Sequence, residues 1–169
     1  MTHSPAARWI RFLRQYGPIP RNDNMYDEHI RKSAKRAGIR ALAFTHPVEA
    51  EVLAPFQSST DLPRSVILTG TAGDGKSHLC GKIWAALGGS EAEWGSDDVY
   101  HIRNATLAGR PMTVHVIRDL TAMPRSDPRG RYLDKEDLLT ELCKCLYDSR
   151  SEKVFLMAAN DGQLVENLH

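Results

Sequence analysis

The 169-residue sequence predicts an α/β fold in which a parallel sheet carries helices on both faces, a three-layer arrangement. Two observations lead to this prediction. After residue 60, short apolar runs alternate with amphipathic stretches, as strands joined by helices do. The run 154–159 is almost continuously apolar, which is typical of a strand buried on both faces of a parallel sheet. We expect two parts, a small, mainly helical N-terminal segment at 1–60 and the α/β domain at 61–169.

Three helices are predicted in the N-terminal segment. Ser4 can cap the first and Pro5 suits its first turn, whereas Gly38 stops the second. The stretch 58–63 then marks the domain boundary, because its Ser, Thr, Asp and Pro residues favour loops. The predicted helices span residues 5–15, 25–37 and 47–54.

Four strands and two longer helices are predicted in the α/β domain. The helix at 134–147 has leucines at helical spacing along one side, which would pack on the sheet. The other helix is predicted at 78–87. The strands are predicted at 66–68, 99–102, 113–120 and 154–159.

The most informative stretch is GTAGDGKS at 70–77, which fits the phosphate-binding pattern G-x-x-x-x-G-K-[ST] at every fixed position. It lies between a predicted strand and a predicted helix, which is the context that this pattern requires. Glycines let the backbone curl around phosphates, and backbone N–H groups at the helix N-terminus meet their charge. Lys76 would reach the β- and γ-phosphates, and the Ser77 hydroxyl would bind Mg²⁺. The predicted nucleotide-binding residues are Gly70, Thr71, Ala72, Gly73, Asp74, Gly75, Lys76, Ser77 and His78.

Two polar residues stand at the ends of later strands, where ligands of α/β sheets gather. Asp119 closes an apolar strand and is predicted to act on Mg²⁺ through a bound water; alternatively it only starts a turn. Asn160 follows the last strand and could orient water or contact the γ-phosphate; alternatively Asn160-Asp161-Gly162 is a turn. The predicted catalytic residues are Lys76, Asp119 and Asn160, and the predicted metal ligands are Ser77 and Asp119.

Composition limits the possible functions. No apolar run is long enough to span a membrane, and the N-terminus lacks the apolar core of a signal peptide. The three cysteines lack C-x-x-C spacing, which argues against a zinc site or a disulfide framework and favours a cytoplasmic protein. Residues 1–60 contain nine Lys and Arg against five Asp and Glu, whereas the remainder contains 13 against 16. This basic excess is either a solvated helix face or a nucleic-acid contact.

The order of these motifs resembles the AAA+ ATPases and their STAND-like relatives. The resemblance is carried by the octapeptide, by VHVIRD ending at Asp119 and by VFLMAAN ending at Asn160, and GDGKSHL is similar to helicase-loader, transposition and bacterial defence-system ATPases. It implies a P-loop NTPase core that binds ATP and Mg²⁺, with Asp119 as the Walker B aspartate and Asn160 as sensor 1. It also implies a nucleotide at a subunit interface, hence a homo-oligomer, and a DNA or protein partner. The segment from Tyr16 to Asp27 would be the linker that touches the adenine.

The sequence departs from that family in three respects. Leu120 follows Asp119, where the family usually has the glutamate that activates water. The chain ends nine residues after Asn160, before an arginine finger or a helical lid, so we expect the N-terminal part of a larger ATPase or a truncated product. If the strand ending at Asp119 were the second of the sheet, Asp161 would take over the Mg²⁺ role.

Three functions therefore compete. The first is an ATPase fragment that acts on a nucleic-acid or protein partner. The second is a nucleotide-binding regulatory module without hydrolysis. The third is a small phosphotransferase kinase, in which Arg125, Arg129 and Arg131 could form a lid over the substrate. The absence of an Asn-Lys-x-Asp guanine motif favours ATP over GTP.

Overall fold

The computed structural model describes residues 4–13, 34–39, 45–71, 73–94, 98–148 and 150–167. Contacts divide the chain into two compact units, Met1–Thr45 and His46–His169. The sequence placed a boundary at residue 60 instead. The division comes earlier because the helix Glu49–Gln57 buries Phe56 in the core of the second unit.

In the first unit, helix α1 spans Pro5–Leu13. The Ser4 hydroxyl accepts a hydrogen bond from the Ala7 N–H at 3.3 Å, which is the capping interaction that the sequence predicts. The rings of Trp9 and Phe12 meet edge to face, with their centroids 5.8 Å apart. An aromatic pair on the inner side of this helix gives it a packing surface of its own.

A second helical stretch of this unit covers residues 34–37 and stops at Gly38, whose φ of 63° lies in the left-handed region. The predicted helix over 25–37 is thus present in its described part, residues 34–37, and it ends at Gly38 as predicted. Its earlier part lies outside the described residues, as does the predicted linker from Tyr16 to Asp27.

The second unit alternates strands and helices, which confirms the predicted α/β class. Within the described residues its sheet consists of four strands, and helices precede, separate and follow them. In chain order the elements are α2 (Glu49–Gln57), β1 (Val66–Leu68), α3 (Lys76–Ala86), α4 (Glu91–Trp94), β2 (Tyr100–Leu107), β3 (Arg110–Ile117), α5 (Lys135–Tyr147), β4 (Lys153–Ala158) and α6 (Asp161–Asn167).

The sheet is mixed, which corrects the prediction of a wholly parallel one. Its strand order is β1-β4-β3-β2, with β4 parallel to both β1 and β3 and with β2 antiparallel to β3. Only the two residues Ala108 and Gly109 join β2 to β3, and a connection this short allows only an antiparallel pair. Their φ values of 45° and 74° are the two successive positive values that tight hairpin turns of type I′ need.

The strand β4 is buried on both faces, as the sequence predicts. Val154, Leu156 and Ala158 join the core beneath α2 and α3, whereas Phe155 and Met157 join the core beneath α5. The sheet is therefore the middle of three layers. The apolar side predicted for α5 is also confirmed, since its buried residues are Leu138, Leu139 and Leu142.

Among the described residues, no helix combines the length and the apolar character that crossing a membrane requires.

Candidate functional site

Three of the predicted segments meet at one edge of the sheet, where β1, β4 and β3 end. Hydrogen bonds continue the sheet beyond its strands: the Ala159 N–H donates to the Leu68 carbonyl and the Leu120 N–H to the Ala158 carbonyl, both at 3.0 Å. Because these strands are parallel, the segments that follow them emerge at the same edge. The stretch 70–77, Asp119 and Asn160 are thereby brought to one side of the sheet.

The glycine loop, residues 70–75, leads from β1 into α3. Gly70, Gly73 and Gly75 have φ values of 140°, 94° and 79°, which side chains rarely allow. At Gly70 the φ value strains any other residue, and a Cβ would also lie 2.5 Å from the Asp74 carboxylate, which would have to move. The strand, loop and helix predicted around this sequence are all present, and Ala72 lies outside the described residues.

The Lys76 side chain turns back over the glycine loop. Its ammonium group donates to the carbonyls of Gly70 and Thr71, at 2.9 and 2.6 Å. A cation is thereby held against the loop, which is where an anion bound by the loop would need it.

The N-terminus of α3 begins at a glycine. Its N-cap residue is Gly75, in a left-handed conformation, which has no side chain to cap the first turn. The backbone N–H groups of that turn and the positive end of the helix dipole are therefore directed toward the glycine loop.

Ser77 connects α3 to the end of β3. Its hydroxyl donates a hydrogen bond to the carbonyl oxygen of Arg118 at 3.1 Å. Arg118 immediately precedes Asp119, so this carbonyl belongs to the peptide group that joins the two residues. The two residues predicted as metal ligands are thus neighbours, although they lie far apart in the sequence.

The Arg118 side chain holds this connection in place. Its guanidinium group donates to the carbonyls of Trp94 and Asp98, at 2.5 and 3.2 Å, and lies 4.4 Å from the centroid of the Trp94 ring. Arg118 is only 5% exposed. A buried cation with carbonyl and aromatic partners is a structural anchor.

Asp119 starts a turn, as one of its two interpretations predicts. Its Oδ1 accepts from the N–H groups of Thr121 and Ala122, at 2.8 and 3.3 Å. The Lys135 ammonium lies nearby and donates to the Leu120 carbonyl at 2.9 Å. Partial burial lowers the pKa of Lys135, while the negative charge of Asp119 opposes that shift. The aspartate thus stands beside a lysine at the entrance to α5.

Asn160 lies exposed between β4 and α6. Its carbonyl accepts the Leu164 N–H at 3.2 Å, and Asp161 is the first helical residue. Of the two interpretations of Asn160-Asp161-Gly162, the turn is not found, because these residues start a helix in which an acidic first residue is favoured by the dipole. The strand that ends at Asp119 is the third along the described chain, so the condition under which Asp161 would replace Asp119 is not met.

Sequence reasoning missed a segment that holds the glycine loop from outside. His46 donates from Nε2 to the Asp74 carbonyl at 2.8 Å. Glu49, three residues later, pairs with Lys82 at 3.3 Å and lies 3.9 Å from the Nε2 of His78, both on α3. Burial opposes ionisation of Glu49, but hydrogen bonds from Lys82 and from the backbone of His46 keep its pKa below the usual range. The sequence predicts a helix in this segment, but no local pattern marks its contact with the glycine loop.

A cavity of about 400 Å³ lies beside the glycine loop. Residues 46–48, just before α2, form one wall, and the end of β1 with α3 forms the other. The walls are mainly apolar, whereas the end at the loop is polar. Its lining residues are His46, Pro47, Val48, Ile67, Leu68, Thr69, Asp74, Lys76 and Leu79.

The arginines of the loop between β3 and α5 are engaged by carboxylates. Arg131 lies between Asp98 and Asp127, with nitrogen–oxygen distances of 2.6 and 2.8 Å. Arg129 also pairs with Asp98, at 2.8 Å, and Arg125 lies 3.4 Å from the carboxylate of Asp134. Arg131 is thereby held within the fold, whereas the side chains of Arg125 and Arg129 are largely exposed.

In the part of the chain that the structure describes, no three His, Cys, Asp or Glu side chains are grouped so as to hold a metal ion. Comparisons with protein-family models, with curated proteins and with solved structures find no match to this chain. The interpretation of the site therefore depends on its own geometry.

Proposed function

We propose that this chain binds a nucleoside triphosphate, ATP in the first place, together with Mg²⁺ at the edge formed by the glycine loop and Asp119. One observation carries the proposal: the glycine loop, Lys76 and Ser77 stand in one place, and the Ser77 hydroxyl touches the carbonyl that precedes Asp119. Loop N–H groups, a lysine, a hydroxyl and a carboxylate are the groups that a triphosphate with Mg²⁺ requires. This also fits the resemblance of the sequence to the AAA+ ATPases.

Each group has a definite task in this proposal. Lys76 would exchange its two carbonyl partners for β- and γ-phosphate oxygens, and the first turn of α3 would donate N–H groups to the phosphates. Ser77 would bind Mg²⁺ directly, and Asp119 would hold one of its waters. Mg²⁺ commonly keeps several waters and takes only one or two carboxylates besides phosphate oxygens, so a larger acidic cluster is not needed.

The cavity next to the loop would hold the base and ribose. Its volume of about 400 Å³ is within the range of small-molecule sites, and its mainly apolar walls suit a flat aromatic base. The wall formed by residues 46–48 would then take the part that the sequence assigned to Tyr16–Asp27.

A nucleotide-binding module without hydrolysis is the second candidate, and Leu120 favours it. This residue stands where the resemblance expects a glutamate that activates water. Its side chain is completely buried, and its backbone N–H donates a hydrogen bond to the Ala158 carbonyl. That position faces the core beneath α5, so it cannot present a base to an attacking water.

Binding and hydrolysis can be separated by experiment. We would titrate the chain with ATP and Mg²⁺ by isothermal calorimetry and measure phosphate release with and without DNA. A charge-assisted contact contributes about 1.5–3 kcal/mol, so Lys76→Ala should raise Kd about tenfold to hundredfold. Lys144→Ala, an exposed lysine on α5, is the matched control and should leave Kd unchanged. Equal Kd values for both variants, or no binding at all, would refute the proposal.

Phosphate release decides between the two candidates. Release that Lys76→Ala abolishes would establish an ATPase, and stimulation by DNA would give the partner that the resemblance implies. Tight binding without release would establish the regulatory module. Light scattering with and without ATP tests the further expectation of an oligomer with the nucleotide at its interface.

A further inference from the structure

His46 is the first residue of the second unit and makes hydrogen bonds with both ring nitrogens. The Val48 backbone N–H points to Nδ1 at 3.3 Å, so Nδ1 must be the acceptor and carry no proton. The hydrogen of the neutral ring is therefore on Nε2, which donates it to the Asp74 carbonyl at 2.8 Å. The ring is thus fixed in one orientation and one tautomer by the backbone on either side.

The residue that His46 holds is also held from within the glycine loop. The Asp74 carboxylate accepts from the Thr71 N–H at 2.5 Å and from the Thr71 hydroxyl at 3.0 Å. Its carbonyl is turned the other way, toward His46. Asp74 is exposed, so these contacts rather than burial fix its position. Asp74 is therefore held at two points, its carboxylate by Thr71 and its carbonyl by His46.

The ring also packs against the last residue of the loop. A Cβ at Gly75 would lie 2.9 Å from the His46 Cδ2, so the imidazole packs directly against the backbone of Gly75, just before Lys76. A loop with three glycines has much conformational freedom to lose when it binds a ligand. A contact that fixes the loop beforehand reduces that loss, which is the general basis of preorganised binding.

We propose that His46 is a positioning residue for phosphate recognition, which holds the glycine loop in its binding shape through the Asp74 carbonyl and Gly75. It touches no phosphate itself. The consequence for binding rests on the proposed function, whereas the consequence for the loop does not.

The required group is a single N–H donor at the distance of Nε2 from the backbone. Glutamine carries an amide N–H₂ at nearly that distance and keeps the hydrogen bond, whereas leucine has a similar volume without any donor. Gln57 lies exposed at the opposite end of α2, so Gln57→Leu introduces the same leucine away from the loop. The test therefore compares His46→Leu, His46→Gln and Gln57→Leu in the whole chain.

The first measurement is hydrogen exchange of the ligand-free protein over residues 70–75. His46→Leu should speed exchange in this loop about fivefold or more, because the loop opens more often. His46→Gln should restore slow exchange, and Gln57→Leu should not alter it. Equal exchange in all four proteins would overturn the proposal whatever the chain binds. A thermal melt of each protein separates this local effect from loss of the fold.

The second measurement is Kd for ATP with Mg²⁺ and for inorganic triphosphate. His46→Leu should weaken both about tenfold, since both use the loop, and His46→Gln should stay within about twofold. Weaker ATP binding with unchanged triphosphate binding would assign His46 to the base instead and overturn the positioning role. If the unaltered chain binds neither ligand, the proposed function fails, and the exchange measurement alone decides the role of His46.

Discussion

Replacing Arg131 should cost the second unit much of its stability. Its guanidinium group donates twice to Asp127 and twice to Asp98, at distances of 2.6–2.8 Å. The Asp127 side chain is only 2% exposed and the Asp98 side chain 10%. Arg131→Ala would leave these two carboxylates facing each other without a cation.

The size of the effect follows from this burial. Breaking a buried pair by removing one partner costs about 3–5 kcal/mol, because the charge left behind is uncompensated. At about 2–4 °C per kcal/mol for a chain of this size, the melting temperature should fall by roughly 6–20 °C. Arg131→Lys keeps the charge but loses the planar guanidinium group, so its melting temperature should lie between those of the unaltered protein and Arg131→Ala. Arg125→Ala, whose partner Asp134 is more exposed, should lower the melting temperature much less.

The pH dependence of unfolding gives an independent check. Hydrogen bonds from Arg131 hold the pKa of Asp127 well below its usual range, although burial opposes them. The unfolded state therefore binds the proton first, and the stability that this pair provides is complete above the unfolded pKa of 3.8 and lost as pH falls through the folded pKa. Asp127→Asn should remove this part of the acid sensitivity.

The assay is urea unfolding followed by circular dichroism at pH 7 and at several values below pH 4. Arg131→Ala with a loss below about 1 kcal/mol at pH 7 would refute the reasoning. So would an unchanged acid slope in Asp127→Asn.

Three further changes have defined outcomes. Gly70→Ala should weaken ATP binding, because alanine is strained at a φ of 140° and its Cβ would displace the Asp74 carboxylate, while Gly162→Ala, where a Cβ meets nothing within 4 Å, should bind normally in the same calorimetric titration. Ala108→Gly should raise the free energy of unfolding by up to about 1 kcal/mol in urea, since alanine is strained at a φ of 45°; a loss of stability would contradict this. Burial, with the nearby Lys153, lowers the pKa of His115 to about 4, so the unfolded state binds the proton first and stability should decline from about pH 6.5 to pH 4. His115→Phe, which keeps the stacking on Phe155, should flatten that decline, and an unaltered slope would exclude His115 as its source.

Much of the second unit could be predicted because its signals are local. The apolar run of β4, the leucine spacing of α5 and the glycine loop each lie within a few neighbouring residues, and each is found where it was expected. The hairpin of β2 and β3 was missed because Ala108-Gly109 is a weak turn signal compared with Asn-Gly. Only the first three of the eight residues of β2 were therefore recognised as a strand, and its direction was assigned wrongly.

The contacts around the site are less predictable because they join distant residues. His46 meets Asp74 across 28 positions and Ser77 meets Arg118 across 41. Nothing in the composition of the segment around His46 distinguishes it from an ordinary helix start. Asn160 shows the same difficulty in a smaller range: Asn-Asp-Gly suits a turn as well as a helix start, and the packing of Leu164 against the core beneath α5 favours the helix.

The position of β4 in the sheet determines when the site can form during folding. Among the described strands β1 pairs with β4 alone, through contacts such as Val66 to Leu156 that span 90 positions. Contacts of such high sequence separation form late, because closing long loops costs entropy before any contact offsets it. A nascent chain that has not yet reached residue 153 therefore carries the complete glycine sequence without the neighbour that fixes its strand. The fixed position of the strand that leads into the glycine loop therefore depends on residues 153–158, which lie far from it in the sequence.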